Sequence, residues 1–211
     1  WDALENGSTL ITGVLVVRTE FAKEHADQIS TFLDEYKASA EYANSNVDDA
    51  AALIEKYDNL LVVQTFSKSR SLAGMRLGFA MGNEKLIRYI NDVKYSFNSY
   101  TLNQTALVLG VQAIRDREYF EETCAKVIAT REWTKCELKK LGFSFGDSMS
   151  NFIFATHERV PAKEIFEVLR EHNIFVRYFS KPRISNYLRI SIGTQQEMER
   201  LTAFLAVFLG E

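Results

Sequence analysis

The sequence predicts an α/β fold, because short β-branched segments alternate with longer segments whose apolar residues recur at helical spacing. The chain has 211 residues, of which 46% are hydrophobic, and this is enough to bury a real core. It contains 2 prolines and no low-complexity stretch, so no linker is evident. We therefore expect one or two closely connected globular units.

The first elements are predicted from residues 10–54. Residues 10–18 form a β-branched, apolar segment with one glycine, which predicts a buried strand. Asn46 is expected to cap a second helix, with Asp48 and Asp49 in its first turn. The preceding helix of about five turns is predicted from apolar residues that fall on one face, namely Ala26, Ile29, Phe32, Leu33, Tyr36, Ala40 and Ala43.

The middle of the chain alternates in the same way. Strands are predicted over 59–65 and 77–81, a helix capped by Asn83 follows, and further helices cover 102–115 and 117–140. Gly142 is expected to end the last of these as its C′ residue. We expect a mixed-sheet remnant around Lys68, with the 117–140 helix as a bridge to the next subdomain.

The C-terminal part predicts a small α+β subdomain. Strands are expected over 151–155, 174–178 and 187–192, and Pro161 lies where the first turn of a helix tolerates proline. Thr194 and Glu197 form a capping box that opens a terminal helix.

The run from Thr65 to Phe79 carries the most specific chemistry. It places Lys68 just after a strand and Arg76 eight residues later. A lysine amine can form a Schiff base with a carbonyl, and a guanidinium can bind a phosphate through two parallel hydrogen bonds. Pyridoxal phosphate carries both an aldehyde carbonyl and a phosphate. From its position alone, Lys68 would be a solvated surface residue.

This run resembles the lysine motif of fold-type I pyridoxal-phosphate aminotransferases, in the histidinol-phosphate aminotransferase branch, where Ser-Lys precedes Ala-Gly-x-Arg-x-Gly. The resemblance covers about residues 52–211. It implies that Lys68 is the Schiff-base lysine and the general acid and base, and that Arg76, Thr65 and Ser67 bind the phosphate of pyridoxal 5'-phosphate. Ordinary turn chemistry remains the alternative for the two hydroxyls.

A second group of residues points to an anionic substrate. Arg189 is a charge in an otherwise apolar strand, and a buried arginine needs an anionic partner. The segment Leu188-Arg189-Ile190 is similar to the family element whose arginine binds the substrate's anionic group, and Arg177 matches a second family arginine. Asn151 matches an element beside it. The alternative for Arg189 and Arg177 is an ion pair with a neighbouring carboxylate, and the alternative for Asn151 is a turn.

Several upstream family motifs are not recognisable in this chain. These are the glycine-containing phosphate loop, the tyrosine that stacks on the ring, the asparagine at the ring oxygen, and the aspartate that protonates the pyridine nitrogen. Asp48 and Asp49 precede Lys68 but belong to a helix start. Residues 1–54 resemble instead a fragment of an ABC-importer solute-binding protein of the nitrate, taurine or thiamine-precursor type. The chain is therefore expected to be a chimera, and its start at Trp1 to reflect excision or processing.

These resemblances divide the chain into three predicted parts. Residues 1–54 are the solute-binding-protein-like strand-helix-helix segment, residues 55–116 the remnant of a PLP-transferase large domain with Lys68, and residues 117–211 the aminotransferase small domain. The implied function is transfer of an amino group from histidinol phosphate or a related amine to 2-oxoglutarate, incomplete in this chain. The alternative is a noncatalytic hybrid that only completes a core.

Composition limits the partners. The net charge is −3 and the basic residues are scattered, which argues against nucleic-acid binding. No segment is long and apolar enough to cross a bilayer.

Cys124 and Cys136 lie on one predicted helix and cannot pair with each other, which favours a reducing, cytoplasmic setting. The histidines, expected at the surface or helix ends, lack metal-ligand spacing, so no metal is expected. The family resemblance implies a homodimer.

Overall fold

The computed structural model describes residues 19–210. The strand predicted over 10–18 lies outside the described residues. Backbone contacts divide the described chain into two units, residues 19–121 and residues 122–210, with the boundary near the start of the longest helix. Each unit is described by itself.

The first unit combines helices with one pair of strands. Its elements are α1 (Thr19–Glu24), α2 (Ala26–Ser45), α3 (Val47–Lys56), β1 (Leu61–Thr65), β2 (Gly78–Gly82), α4 (Glu84–Phe97) and α5 (Gln104–Arg115). The predicted cap of α4 is confirmed, because the Asn83 side chain accepts a hydrogen bond from the Lys85 amide at 2.9 Å. Asn103 does the same at the start of α5, where it accepts from the Ala106 amide at 2.8 Å.

The sheet of the first unit differs from the expected mixed sheet. Within residues 19–121, β1 and β2 pair only with each other and run antiparallel, with Leu61 opposite Gly82 and Thr65 opposite Gly78. The reason is local: the chain leaves β1, makes one loop over residues 66–77 and returns directly along the same strand. We call these twelve residues the lysine loop.

The second unit is a four-stranded antiparallel sheet with three helices. Helix α6 spans Arg117–Lys140, and the part of it from residue 122 onward belongs to this unit. The other elements are β3 (Phe143–Phe145), β4 (Phe152–His157), α7 (Ala162–Glu171), β5 (Arg177–Tyr178), β6 (Leu188–Ser191) and α8 (Gln195–Leu209). The strands lie in the order β3-β4-β6-β5. The predicted capping box of α8 is present, with both reciprocal hydrogen bonds between Thr194 and Glu197. Gly142 has φ +77° just past α6, as predicted for its C′ residue.

The core of this unit lies between one face of the sheet and the helices. Inward and outward residues alternate along β4 and β6, so Ile153 and Ile190, which are register partners, both face the core. The buried cluster contains Leu138, Leu141, Phe143, Ile153, Ala155, Ala162, Ile165, Leu169, Leu188, Ile190, Met198, Leu201 and Leu205. Its members come from all three helices and from β3, β4 and β6.

His157 is part of this interior, whereas the sequence led us to expect surface or helix-end histidines. It is 3% exposed and ends β4 on the inward face. Its Nδ1 accepts hydrogen bonds from the amides of Arg159 and Val160, so Nε2 carries the proton and donates to the Leu141 carbonyl at 2.9 Å. His157 is therefore a satisfied structural histidine.

The predicted strand over 174–178 is shorter in the structure. Only Arg177 and Tyr178 pair with β6. The residues before them close α7, since Asn173 adopts φ +58° and the Ile174 amide donates to the Leu169 carbonyl at 2.9 Å. This helix ending uses the backbone that a longer strand would have needed.

Candidate active site

Lys68 lies in the turn that follows β1, as predicted, and its side chain is exposed. The turn is closed by the Ser71 amide, which donates to the Lys68 carbonyl at 3.0 Å. Within the described residues, no ion pair occupies the Lys68 amine. A primary amine presented on a turn in this way is accessible to a carbonyl compound.

The base of the lysine loop is fixed by backbone bonds and by two buried side chains. The Phe66 amide donates to the Leu77 carbonyl at 3.1 Å, and the Leu72 amide donates to the Phe66 carbonyl at 3.0 Å. Phe66 and Leu77 are 4% and 9% exposed. The two ends of the loop are therefore packed, although Lys68 itself is at the surface.

The residues predicted to bind phosphate flank this base. The Thr65 hydroxyl donates to the Ser67 hydroxyl at 2.9 Å and accepts from the Ser67 amide at 3.1 Å, so the structure brings these two groups together. These bonds also fit the alternative role of the Thr65 and Ser67 hydroxyls, which is ordinary hydrogen bonding within a turn. Arg76 has φ +53° at the other end of the loop, two residues before the Gly78 partner of Thr65.

Arg76 is exposed and already has one partner. Its Nη1 donates to the Ala73 carbonyl of the short 3₁₀ turn at 3.0 Å. This bond uses one of the five guanidinium N–H groups, so the others are available for an anion.

Arg189 is exposed, which corrects the expectation of a buried arginine. Along β6, Leu188 and Ile190 face the core, while Arg189 and Ser191 face outward. The alternation of the pleated strand is the physical reason. No carboxylate within residues 19–210 forms an ion pair with Arg189, so the ion-pair alternative does not describe this structure.

Arg177 is the cross-strand neighbour of Arg189. Register partners share a face, so two guanidinium groups lie on the outward face of the sheet, next to Phe154, the β4 partner of Arg189. Arg189 lies 5.6 Å from the Phe152 ring centroid, and Arg177 lies 5.5 Å from that of Phe179. Adjacent like charges repel, and an anion between them would relieve the repulsion.

Asn151 immediately precedes β4 near this face. Its backbone carbonyl accepts from the Ile192 amide at 2.9 Å. Its side-chain Oδ1 is buried and has no hydrogen-bond partner in the described part of the chain. A buried amide oxygen without a partner is unusual and is a suitable acceptor for a ligand donor. The sequence-predicted site residues thus form two groups, one in each unit.

Two charged residues near these groups were not predicted as important. Arg70 donates to the Ala113 carbonyl, and its guanidinium lies 3.8 Å from the Phe120 ring centroid. Arg131 is 2% exposed and donates to the Ser150 carbonyl at 3.2 Å, next to Asn151. The sequence contains a pattern that indicates the burial of Arg131. This residue falls at helical spacing with Cys124, Thr134 and Leu138, and all four are buried in the structure.

Residues 19–210 contain neither a candidate metal cluster nor a candidate membrane span. No group of three or more His, Cys, Asp or Glu side chains in this part of the chain could hold a metal ion. None of the helices described there has the length and apolar character to span a bilayer.

A comparison with protein families matches residues 18–205 to the family of class I and II aminotransferases. The chain belongs to this family. The match begins at residue 18 and therefore includes the three helices before β1, which we had attributed to a solute-binding protein. The comparisons give no support to a solute-binding-protein segment or to a chimera, and they correct that expectation.

Two curated relatives carry the family name that the lysine motif predicted. The chain is 55% identical over 153 residues to a histidinol-phosphate aminotransferase of Brachyspira hyodysenteriae, covering 72% of this chain and 43% of that protein. It is 53% identical over 158 residues to one of Clostridium botulinum, covering 75% and 45%. The chain thus spans less than half the length of these aminotransferases.

Solved structures show the same fold. The histidinol-phosphate aminotransferase of Sinorhizobium meliloti, solved in complex with pyridoxal-5'-phosphate, has a TM-score of 0.67 at 21% identity, covering 76% of this chain and 44% of that one. The histidinol-phosphate aminotransferase of Clostridium acetobutylicum has a TM-score of 0.67 at 20% identity, covering 74% and 48%. The described elements are therefore part of the aminotransferase fold.

Proposed function

We propose that this chain carries the lysine and substrate-arginine parts of a pyridoxal-phosphate-dependent aminotransferase that acts on histidinol phosphate or a related amino compound, with 2-oxoglutarate as acceptor. The observation that carries the proposal is the lysine loop, which presents an accessible Lys68 between a hydroxyl pair and Arg76. The family membership and the 55% identity to a histidinol-phosphate aminotransferase support it.

The residues of the loop fit pyridoxal 5'-phosphate. The cofactor needs an amine for its aldehyde and donors for a phosphate dianion. The loop offers Lys68 for the first, and Ser67 and Arg76, together with Thr65 at the end of β1, for the second. Charged guanidinium donors and hydroxyls are the usual ligands of a phosphate oxygen. The left-handed backbone at Arg76 places this residue at the rim of the loop, where its free N–H groups are accessible.

When bound, pyridoxal phosphate supplies an electron sink that stabilises negative charge at the substrate Cα. Lys68 would hold the cofactor through its aldehyde. The free Lys68 Nζ would accept the proton from the substrate Cα as a general base and donate it again as a general acid. The loop therefore both holds the cofactor and moves the proton.

Arg189 and Arg177 orient the substrate in this proposal. Histidinol phosphate and 2-oxoglutarate both carry anionic groups at a distance from the reacting atom, and a pair of neighbouring guanidinium groups can bind either one. Phe152 and Phe179 hold the two guanidinium groups by cation–π contacts. The buried Asn151 Oδ1 is available to accept a hydrogen bond from the same substrate.

Further parts of the proposal concern the whole protein. Residues 55–116 belong to the large domain and residues 117–211 to the small domain, and the protein works as a homodimer in the cytoplasm. The aspartate that would protonate the ring nitrogen is not recognisable in this sequence, so we expect this chain to bind the cofactor more readily than it turns over substrate. The noncatalytic alternative has no observation in its favour.

Spectroscopy tests the proposal directly. Addition of pyridoxal phosphate to the chain should give the visible absorption band of the cofactor bound to a lysine, and Lys68→Ala should abolish it. Lys85→Ala is the matched control, because Lys85 is exposed on α4 and away from the loop, and it should retain the band. Histidinol phosphate should then bleach the wild-type band in a single half-reaction.

The proposal is wrong if the wild type gives no more band than free lysine, or if Lys68→Ala keeps the band. Loss of bleaching in Arg189→Met with the band intact would support the substrate role of that arginine. Bleaching at the wild-type rate would contradict it.

A further inference from the structure

The turn that carries Lys68 makes one side-chain hydrogen bond to a distant element. The backbone bonds of Ser71, Leu72 and Phe66 all stay within the lysine loop, and the hydroxyl pair of Thr65 and Ser67 is local as well. Arg70, two residues after Lys68, instead reaches a carbonyl 43 positions away in the sequence.

The contacts of Arg70 suit a guanidinium. Its Nη1 donates to the carbonyl of Ala113, which lies in the last turn of α5, where carbonyls lack an intrahelical partner and carry partial negative charge. The guanidinium also lies 3.8 Å from the ring centroid of Phe120 on α6, within the range of a strong cation–π contact. None of the ion pairs within residues 19–210 includes Arg70.

These contacts hold the Lys68 turn to the end of α5. A second contact supports the same junction, because Gly110 of α5 leaves room for the Leu77 side chain at the base of the loop; a Cβ at Gly110 would lie 2.4 Å from Leu77 Cδ2. The base and the tip of the loop are thus fixed to one helix by different means, the base by close packing and the tip by Arg70.

We propose that Arg70 is a positioning residue, which orients Lys68 for the cofactor aldehyde by clamping its turn to the Ala113 carbonyl and the Phe120 ring. This inference rests on the proposed function for the identity of the ligand. The clamp itself is a property of the chain without cofactor, and it can be measured separately.

The experiment compares three variants in the full chain. Arg70→Met keeps the aliphatic stem and removes the donor and the charge. Arg70→Gln keeps one N–H donor for the Ala113 carbonyl, and unlike a lysine it adds no second amine that could react with the cofactor. Arg115→Met is the matched control, since it removes an exposed arginine from the same last turn of α5.

The first readout is hydrogen exchange without cofactor. A hydrogen bond from a charged donor together with a cation–π contact predicts roughly tenfold faster exchange of the Ser71 and Leu72 amides in Arg70→Met. Arg70→Gln should be intermediate, and Arg115→Met and the amides of the second unit should be unchanged. Equal exchange in Arg70→Met and wild type would overturn the inference.

The second readout is the dissociation constant of pyridoxal phosphate, taken from the visible band. We expect about tenfold weaker binding in Arg70→Met, with partial recovery in Arg70→Gln. Wild-type affinity in Arg70→Met would overturn the positioning role. If the wild type itself binds no pyridoxal phosphate, the proposed function fails, while the exchange readout still decides whether Arg70 holds the turn.

Discussion

The two units of the chain differ in how they bury apolar side chains. In residues 122–210, thirteen buried hydrophobic residues form one cluster, with Leu138, Ile153 and Leu205 at 0% exposure. In residues 19–121, large apolar side chains of both strands and of α4 and α5 remain at the surface, including Val63 at 69%, Phe97 at 78% and Ile114 at 55%. Among the side chains that the structure describes, the buried apolar cluster belongs to the second unit.

This difference in burial bears on how the two groups of candidate site residues are supported. Exposed apolar groups of this extent are typical of interaction surfaces. Such a surface is consistent with a chain that spans 43% of an aminotransferase relative. The arginine pair therefore sits on a self-supporting sheet, whereas the lysine loop depends on a few local contacts.

The largest expected effect is in the core of the second unit. Leu205→Ala should lower the free energy of unfolding by about 2–5 kcal/mol, because it removes a fully buried side chain and leaves a cavity. Leu109→Ala is the control from the first unit, where the side chain is 43% exposed, and should cost less than about 1 kcal/mol. Urea unfolding followed by far-UV circular dichroism measures both. Equal losses would remove the contrast between the units.

A smaller effect is expected where the first unit is tightly packed. Gly110→Ala places a Cβ against Leu77 Cδ2, which must shift, and should destabilise the base of the lysine loop by about 1 kcal/mol. Gly74→Ala, in the loop itself, adds a Cβ that meets nothing within 4 Å and should be tolerated. Exchange of the Phe66 and Leu72 amides reports on both variants. If Gly110→Ala exchanges like the wild type, the loop is not fixed to α5 through Leu77.

The smallest effect concerns pH and the buried cation Lys135. Its hydrogen bond and charge hold the pKa of Asp147 below the ordinary value of a carboxyl. A lowered pKa in the folded state stabilises the fold above the unfolded pKa of about 3.9, and this contribution is lost as the pH falls through the lower folded value. Solvent weakens it, since the Asp147 side chain is 88% exposed.

Stability of the second unit should therefore fall below about pH 4, and Asp147→Asn should flatten that decline. Asp92→Asn, on α4 in the first unit, should leave it unchanged. A decline of the same slope in Asp147→Asn and in wild type would mean that the pair contributes nothing.

Features that depend on neighbouring residues in the sequence were predicted well. The Asn83 cap, the Thr194 and Glu197 capping box and the left-handed Gly142 are each set by a few adjacent groups, and all are present. The position of Lys68 on a turn follows from the same local chemistry.

Features that depend on distant contacts were missed or misjudged. Nothing near Arg70 in the sequence indicates that its partner is the Ala113 carbonyl. The exposure of Arg189 was indicated by the alternation of Leu188, Arg189 and Ile190, but we gave more weight to the apolar residues around the charge. The mixed sheet was expected from the resemblance, whereas only the β1–β2 pair is described within residues 19–121.

The most direct test of the central claim is to find which lysine binds the cofactor. The chain is mixed with pyridoxal phosphate, reduced with borohydride and mapped by peptide mass. The lysine loop predicts that the label is on Lys68, and that the exposed lysines Lys56 and Lys85 carry no more label than in a denatured control. A label spread evenly over these lysines would contradict the assignment of the site.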